Sequence, residues 1–200
     1  IATDNNTVEN FVKIKSLRCL IVGDVMVDAY IWGAVNRISP EAPVPVFEVK
    51  KRENRLGGAA NVALNVQSLG ATPILCGVIG EDDKGKVFQQ LLNENNLVSH
   101  ALVIDKARVT TCKTRIISAS HHLLRVDEEE LSIVSESVQK QVFLSVQKEI
   151  DKGIDVIIFE DYDKGLLTDD LIRNIVTVAN KKGIPTCVDP KKNNFYAYKG

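Results

Sequence analysis

The chain has 200 residues, enough for one domain with a real core, and its 44% hydrophobic and 26% charged residues exclude intrinsic disorder. Its 25 Lys and Arg against 26 Asp and Glu give a net charge of -1, so no basic field exists to hold nucleic acid. No run of about 18 apolar residues occurs, and Ile1 to Asn10 do not read as a secretory leader, so a cytoplasmic protein without membrane contact is expected.

Apolar runs of strand length alternate with segments of helical period, the rhythm of βαβ units and a mostly parallel, doubly wound α/β sheet. Cys19 to Val22 reads as a buried strand ending at Gly23, and Gly58 to Leu69 as a helix closed by Gly70. Thr72 to Gly77 is the next strand, Lys84 to Asn95 a helix and Ala101 to Ile104 a short strand. Ser135 to Lys152 is a long amphipathic helix ended by Gly153, followed by a buried strand from Val156 to Phe159. Thr168 suits the N-cap of a helix reaching Lys182, and Thr186 to Val188 is a last strand ending at Asp189. Ala29 to Lys50 and Thr111 to Val126 break the rhythm and are expected as strands of a small second layer over the sheet. Cys19, Cys76, Cys112 and Cys187 lack the spacing of metal or redox motifs and are expected as buried apolar groups in a reducing compartment.

Five stretches could carry chemistry. Asp24 and Asp28, after the first strand, would either bond ligand hydroxyls at the strand ends or cap a turn. The glycines of Arg55-Leu56-Gly57-Gly58-Ala59-Ala60-Asn61 run into a helix and would either admit a ligand to the backbone or make a tight turn. Gly77 to Gly85 reads mainly as turn geometry, with Asp82 and Asp83 as helix cap and dipole partner. Glu160 to Gly165 and Asp189-Pro190-Lys191 each place acids and a lysine after a buried strand, where a phosphate and its metal would sit or where a plain loop would run.

Together, Asp28, Gly57-Gly58-x-x-Asn61 and Gly77-x-x-Gly80-x-Asp82-x-x-Gly85 are similar in order and spacing to the first half of the ribokinase-like carbohydrate kinases, over nearly the whole chain. Within that family, Asp24-Val25-Met26-Val27-Asp28, Arg37-Ile38-Ser39-Pro40-Glu41-Ala42-Pro43-Val44-Pro45 and Asp161-Tyr162-x-Lys164-Gly165 resemble the heptose 7-phosphate kinase branch, the kinase half of a bifunctional enzyme of ADP-heptose synthesis. The resemblance implies an ATP- and Mg2+-dependent kinase. Its acceptor would be the anomeric hydroxyl of D-glycero-D-manno-heptose 7-phosphate, and its 1,7-bisphosphate product would serve ADP-heptose and lipopolysaccharide core synthesis. Another sugar or phosphosugar kinase, or a non-catalytic module that binds a sugar phosphate, stands as the alternative, with a flavodoxin-like receiver domain behind them.

It further implies that Asp28 takes sugar hydroxyls, that Gly57 and Gly58 admit the ring and that Asn61 bonds a further hydroxyl. The segments at about 29–50 and 111–126 become a β-lid over the sugar that pairs two subunits as a homodimer, with Ile31, Trp32 and Val44 to Phe47 as its apolar patch. Lys113, Arg115 and Arg125 become candidates for the sugar's own phosphate, or else a solvated basic strand face. Asp161, Lys164, Asp189 and Lys191 would lie near the transferred phosphate and its magnesium, with no direct metal ligand assigned. The family's G-A-G-D motif, which supplies the general base, does not occur in these 200 residues, and no N-x-x-E follows Asp189. The chain is therefore expected to be the N-terminal portion of one kinase domain, with the base and the ATP site beyond Gly200 and no turnover of its own.

Overall fold

A strand whose side chains are apolar on both faces can be stable only when covered on both, and Cys19-Leu20-Ile21-Val22 is such a strand. In the computed structural model, which describes residues 12–119, 121–191 and 193–199, it forms the inner part of β1 (Arg18–Gly23). β1 pairs in parallel with β4 (Thr72–Cys76) on one side and with β9 (Val156–Glu160) on the other. β10 (Thr186–Asp189) adds to β9, giving an all-parallel sheet of order β10-β9-β1-β4.

Leu20 and Val22 face a cluster built from Val138, Val142, Val146 and Ile150 of α3 (Glu136–Asp151) and Ile172, Ile175 and Val176 of α4 (Asp169–Lys181). Cys19 and Ile21 face the opposite cluster, which holds Ala59, Ala60 and Ala63 of α1 (Ala59–Ser68) and Phe88 and Leu92 of α2 (Asp83–Glu94). Each fully buried aliphatic side chain removes apolar surface worth roughly 1.5–3 kcal/mol. The sheet is thus doubly wound. Ser135 accepts from the Val138 amide at 3.4 Å and Thr168 from the Leu171 amide at 3.3 Å, so both helices start at side-chain caps.

The run Gly77 to Gly85 departs from the expected plain turn. It contains β5 (Val78–Gly80), which pairs in parallel with β6 (Val103–Asp105) as a separate two-stranded ribbon. Asp82 ties this region together: its carboxylate accepts from the Gly85 amide and from the Thr110 amide, each at 2.7 Å, while Thr110 Oγ1 accepts from the Gly80 amide at 2.8 Å.

The second layer is larger than expected. β2 (Val25–Ile38) and β3 (Pro45–Gly58) form a long antiparallel hairpin, and β7 (Cys112–Ser118) and β8 (His121–Glu128) extend it in the order β3-β2-β7-β8. It spans more than 29–50 because only Asp24 separates β1 from β2, so the lid grows from the central core strand without a loop. α1 starts at Ala59 and not Gly58, since Gly58 still pairs with Val25 in the hairpin.

Cys187 corrects another expectation: it is exposed, whereas Cys19, Cys76 and Cys112 are buried. β10 is an edge strand, and Val188 faces the helices while Cys187 points to the other side of the sheet, which α1 and α2 cover over β1 and β4. Among the described residues no helix is long and apolar enough to cross a membrane.

Replacing Asp82 by Ala removes the α2 cap and strands the Thr110 amide, so Asp82→Ala is expected to cost about 1–3 kcal/mol in urea unfolding. A midpoint unchanged from wild type would show that the knot around Asp82 contributes nothing.

Candidate functional site

Strand alternation sorts the lid into two faces. On β2, Val25, Val27 and Ala29 join the core cluster of α2, which puts Asp28, Tyr30 and Trp32 on the opposite face. Register partners share a face, and the partners are polar: Arg55, Asp28, Lys113 and Asp127 form one row across β3, β2, β7 and β8, and Glu53, Tyr30, Arg115 and Arg125 form the next.

Four sequence-predicted residues therefore meet on this face. Arg115 donates to Asp28 Oδ1 at 2.5 Å. Lys113 Nζ lies 2.9 Å from Asp127 Oδ2 and 3.1 Å from Glu129 Oε2, and Arg125 donates to both oxygens of Asp127 at 2.8 and 3.0 Å. Tyr30 and Trp32 stack with ring centres 5.3 Å apart, Arg55 and Arg115 lie over the Tyr30 ring and Lys51 over that of Trp32. Trp32, expected in an apolar contact patch, thus belongs to the charged face, because it stands two residues beyond Tyr30 on one strand.

Gly57 and Gly58 are required by this packing. A Cβ on Gly57 would come 2.5 Å from Asp28 Oδ2, so only glycine lets that carboxylate lie across β3. Gly58 has φ 57°, where the chain turns from β3 into α1. Asn61 lies exposed in the first turn of α1.

The carboxyl ends of β1, β9 and β10 supply the other wall. Asp24 is buried, and its Oδ2 accepts from the amides of Tyr162 at 2.8 Å and Lys164 at 3.2 Å. Burial pushes its carboxyl up to about 6 against the pull of those amides. Asp161 is also buried, and its oxygens accept from the Asp163 amide, Asn194 Nδ2 and the Tyr198 hydroxyl, each within 3.0 Å. Asp161 therefore holds the 194–198 segment and does not face open space. Glu160 is in register with Asp189, and burial followed by the Asp189 charge pushes its carboxyl up. Lys191 sits 3.9 Å from Asp189 and over the ring of Tyr162. The Tyr162 phenol is pushed up first by burial and then by the charges of Glu160, Asp189, Asp28 and Asp24.

Sequence reading gave no role to Tyr162, Glu129 or Arg108. Lys164 Nζ lies 2.8 Å from Glu129 Oε2, so Glu129 joins the loop after β9 to Lys113 of the lid. Arg108 donates to the backbone oxygens of Glu130, Ser132 and Lys164, fixing the same two segments to each other. Nothing in the run Glu128-Glu129-Glu130 marks its middle member, since a run of acids reads as a solvated edge.

Among the described residues no group of three or more His, Cys, Asp or Glu side chains could hold a metal ion. Glu160 and Asp189 offer two neighbouring carboxylates, which fits Mg2+ bound partly by phosphate oxygens and water but not a site made by protein alone.

The pattern of the pfkB family carbohydrate kinases matches residues 16–143. The chain belongs to this family. Among curated relatives, the bifunctional protein HldE of Caulobacter sp. (strain K31) is 43% identical over 181 residues, covering 90% of this chain and 36% of that protein. HldE of Pelobacter propionicus is 38% identical over 198 residues, covering 98% of this chain and 40% of its own length. The chain thus spans about two fifths of the length of these curated relatives. Phosphofructokinase-2 of Escherichia coli, solved with fructose-6-phosphate, superposes with TM-score 0.69 at 18% identity, over 91% of this chain and 57% of that one. The ribokinase of Arabidopsis thaliana, solved with ribose and ATP, does so with TM-score 0.59 at 14% identity, over 86% and 53%. The fold is ribokinase-like.

The raised Asp24 carboxyl sets a pH dependence. Its folded value of about 6 exceeds the ordinary 3.8, so the folded state holds that proton more tightly than the unfolded chain does. The stability it contributes is complete below the ordinary value and is lost as pH rises through about 6. Asp24→Asn keeps an oxygen for both amides and cannot ionise, so it is expected to flatten the fall in unfolding free energy between about pH 4 and pH 7. Parallel wild-type and variant curves over that range would contradict the assignment.

Proposed function

We propose that the chain is the N-terminal, lid-bearing portion of an ATP-dependent kinase whose acceptor is a sugar that already carries a phosphate, heptose 7-phosphate in particular. The observation that carries this reading is the charged lid face, where the Asp28 carboxylate shares a register row with Lys113, whose ammonium group meets that of Lys164, from the loop after β9, at Glu129. Asp28, held by Arg115, accepts from sugar hydroxyls, and the row partner Lys113 with Lys164 supplies positive charge beside it. The preference for a heptose 7-phosphate rests on the resemblance of Asp24 to Asp28, Arg37 to Pro45 and Asp161 to Gly165. The shared name of the relatives supports it, as does the phosphorylated sugar bound by one fold neighbour.

In this reading the lid covers the sugar and excludes water, while Gly57 lets the Asp28 carboxylate lie across β3. Glu160, Asp189 and Lys191 are the residues at the strand ends that would meet ATP phosphates and Mg2+. When bound, the ion would neutralise charge on the transferred phosphoryl group. Because the reaction uses ATP, we place it in the cytoplasm, with the product passing to ADP-heptose and lipopolysaccharide core synthesis.

In the complete kinase, Asp28→Ala and Asn61→Ala are each expected to weaken sugar binding by about 1–3 kcal/mol, the cost of sugar hydroxyls left unpaired once the lid covers them. Calorimetric affinities that match wild type would remove the hydroxyl assignment. The isolated chain is expected to show no sugar-dependent ADP release, and sustained release with heptose 7-phosphate would contradict its assignment as a portion without the general base.

We also propose that the lid pairs two subunits. Beyond the part packed on α2, this same face of the lid carries Ile31, Ile116 and Leu124 in one register row, with Leu124 56% exposed. Sedimentation velocity of the complete protein is expected to give a dimer at micromolar concentration; a monomer is incompatible with this pairing.

A further inference from the structure

Glu129 has an unusual position for a surface acid. A single oxygen, Oε2, lies 3.1 Å from Lys113 Nζ and 2.8 Å from Lys164 Nζ, so two ammonium groups from different parts of the fold converge on one atom. All three side chains are largely covered: Lys164 is 16% exposed and Glu129 18%. Bringing two ammonium groups so close out of bulk water is unfavourable unless an anion lies between them. Lys113 has a second partner in Asp127, but Glu129 is the acid on which Lys164 rests.

The surroundings argue for an anion that can be exchanged. Glu129 follows the end of β8, and its neighbours in sequence are fastened through their backbone oxygens to Arg108, so the Glu129 side chain can swing away while the chain stays in place. Lys113 is the register partner of Asp28, one strand spacing of about 4.8 Å away on the same face. A sugar with hydroxyls on Asp28 would thus hold a substituent of modest reach over Lys113. A phosphate monoester carries about -1.5 to -2 charge and three acceptor oxygens, against the single charge of a carboxylate. It can serve both lysines at once and outcompete Glu129.

We propose that Lys113 and Lys164 are the seat of the phosphate already present on the sugar, and that Glu129 occupies this seat as an internal substitute until a phosphorylated sugar displaces it. The inference rests on the phosphosugar reading above and adds a specificity device to it. A free sugar reaches Asp28 but leaves Glu129 in place. A phosphorylated one releases Glu129 and connects the lid to the loop after β9 through its own phosphate.

The test is calorimetry on the complete kinase with heptose 7-phosphate and with the unphosphorylated heptose, using Glu129→Gln, Glu129→Asp, Lys113→Met and Lys164→Met. Removing an internal competitor raises the fraction of binding-competent protein, so Glu129→Gln is expected to bind the phosphosugar roughly tenfold more tightly than wild type. Glu129→Asp should fall between the two. Each lysine variant is expected to lose about tenfold or more on the phosphosugar, and none of the four should change affinity for the free sugar by more than about twofold. Thermal unfolding gives a second readout. Glu129→Gln leaves Lys164 without its anion, so its midpoint should drop and should gain more from added phosphosugar than wild type does. If wild type binds the phosphosugar and Glu129→Gln binds it equally or more weakly, Glu129 is a structural tie and the proposal is overturned. If neither wild type nor any variant binds heptose 7-phosphate, the substrate reading itself fails and the proposal falls with it.

Discussion

One residue, Asp24, connects every part of the candidate site. It is the single link between the central core strand and the first lid strand. Its amide donates to the Glu160 carbonyl at 3.0 Å, its carbonyl accepts from the Ala59 amide at 2.9 Å, and its carboxylate accepts from Tyr162 and Lys164. The end of β1, the start of the lid, the start of α1 and the loop after β9 are thus fastened at one buried point. Gly23 and Gly58 flank it because a Cβ at either would strike a backbone oxygen, of Glu160 and of Asp24 itself. The cost is a carboxylate kept from water, which its raised proton affinity records.

From that point the lid acquires two unlike faces by simple alternation. Its inner apolar residues complete the α2 core, while Asp28, Lys113, Arg115, Tyr30 and Trp32 stand on the other side. The ions on that face are mutually paired, so the charged face is tied by ion pairs while the other face is anchored in the α2 core. Such contacts exchange more readily than apolar packing, since a ligand with matching charge can replace a protein partner. That property suits a lid that must admit a small anionic sugar.

Much of the fold was legible in the sequence because local rules agree with the tertiary outcome. Cys19 to Val22 could only be a central strand, and Ser135, Thr168 and Asp82 cap helices within a residue of the expected starts. The reach of the lid was not legible. The junction at Asp24 reads as a turn because Gly-Asp usually makes one, and the chain instead runs straight on from β1 into β2. Cys187 looked buried because its neighbours are apolar, but burial of an edge strand depends on what covers each face. In the candidate site, most residues drawn from motif spacing lie on the two walls, but Asn61 is exposed on α1 and Asp161 turns inward to Asn194 and Tyr198. Glu129 and Arg108 escaped notice because their meaning lies entirely in contacts between segments distant in sequence.

The central claim is that the charged face of the lid and the ends of the core strands enclose one phosphosugar. A crystal structure of the complete kinase with heptose 7-phosphate tests it most directly. The account predicts sugar hydroxyls on Asp28 beside Gly57, the phosphate between Lys113 and Lys164, and the anomeric hydroxyl turned toward the ends of β9 and β10. A sugar bound with its phosphate away from both lysines, or with no contact to Asp28, would contradict it.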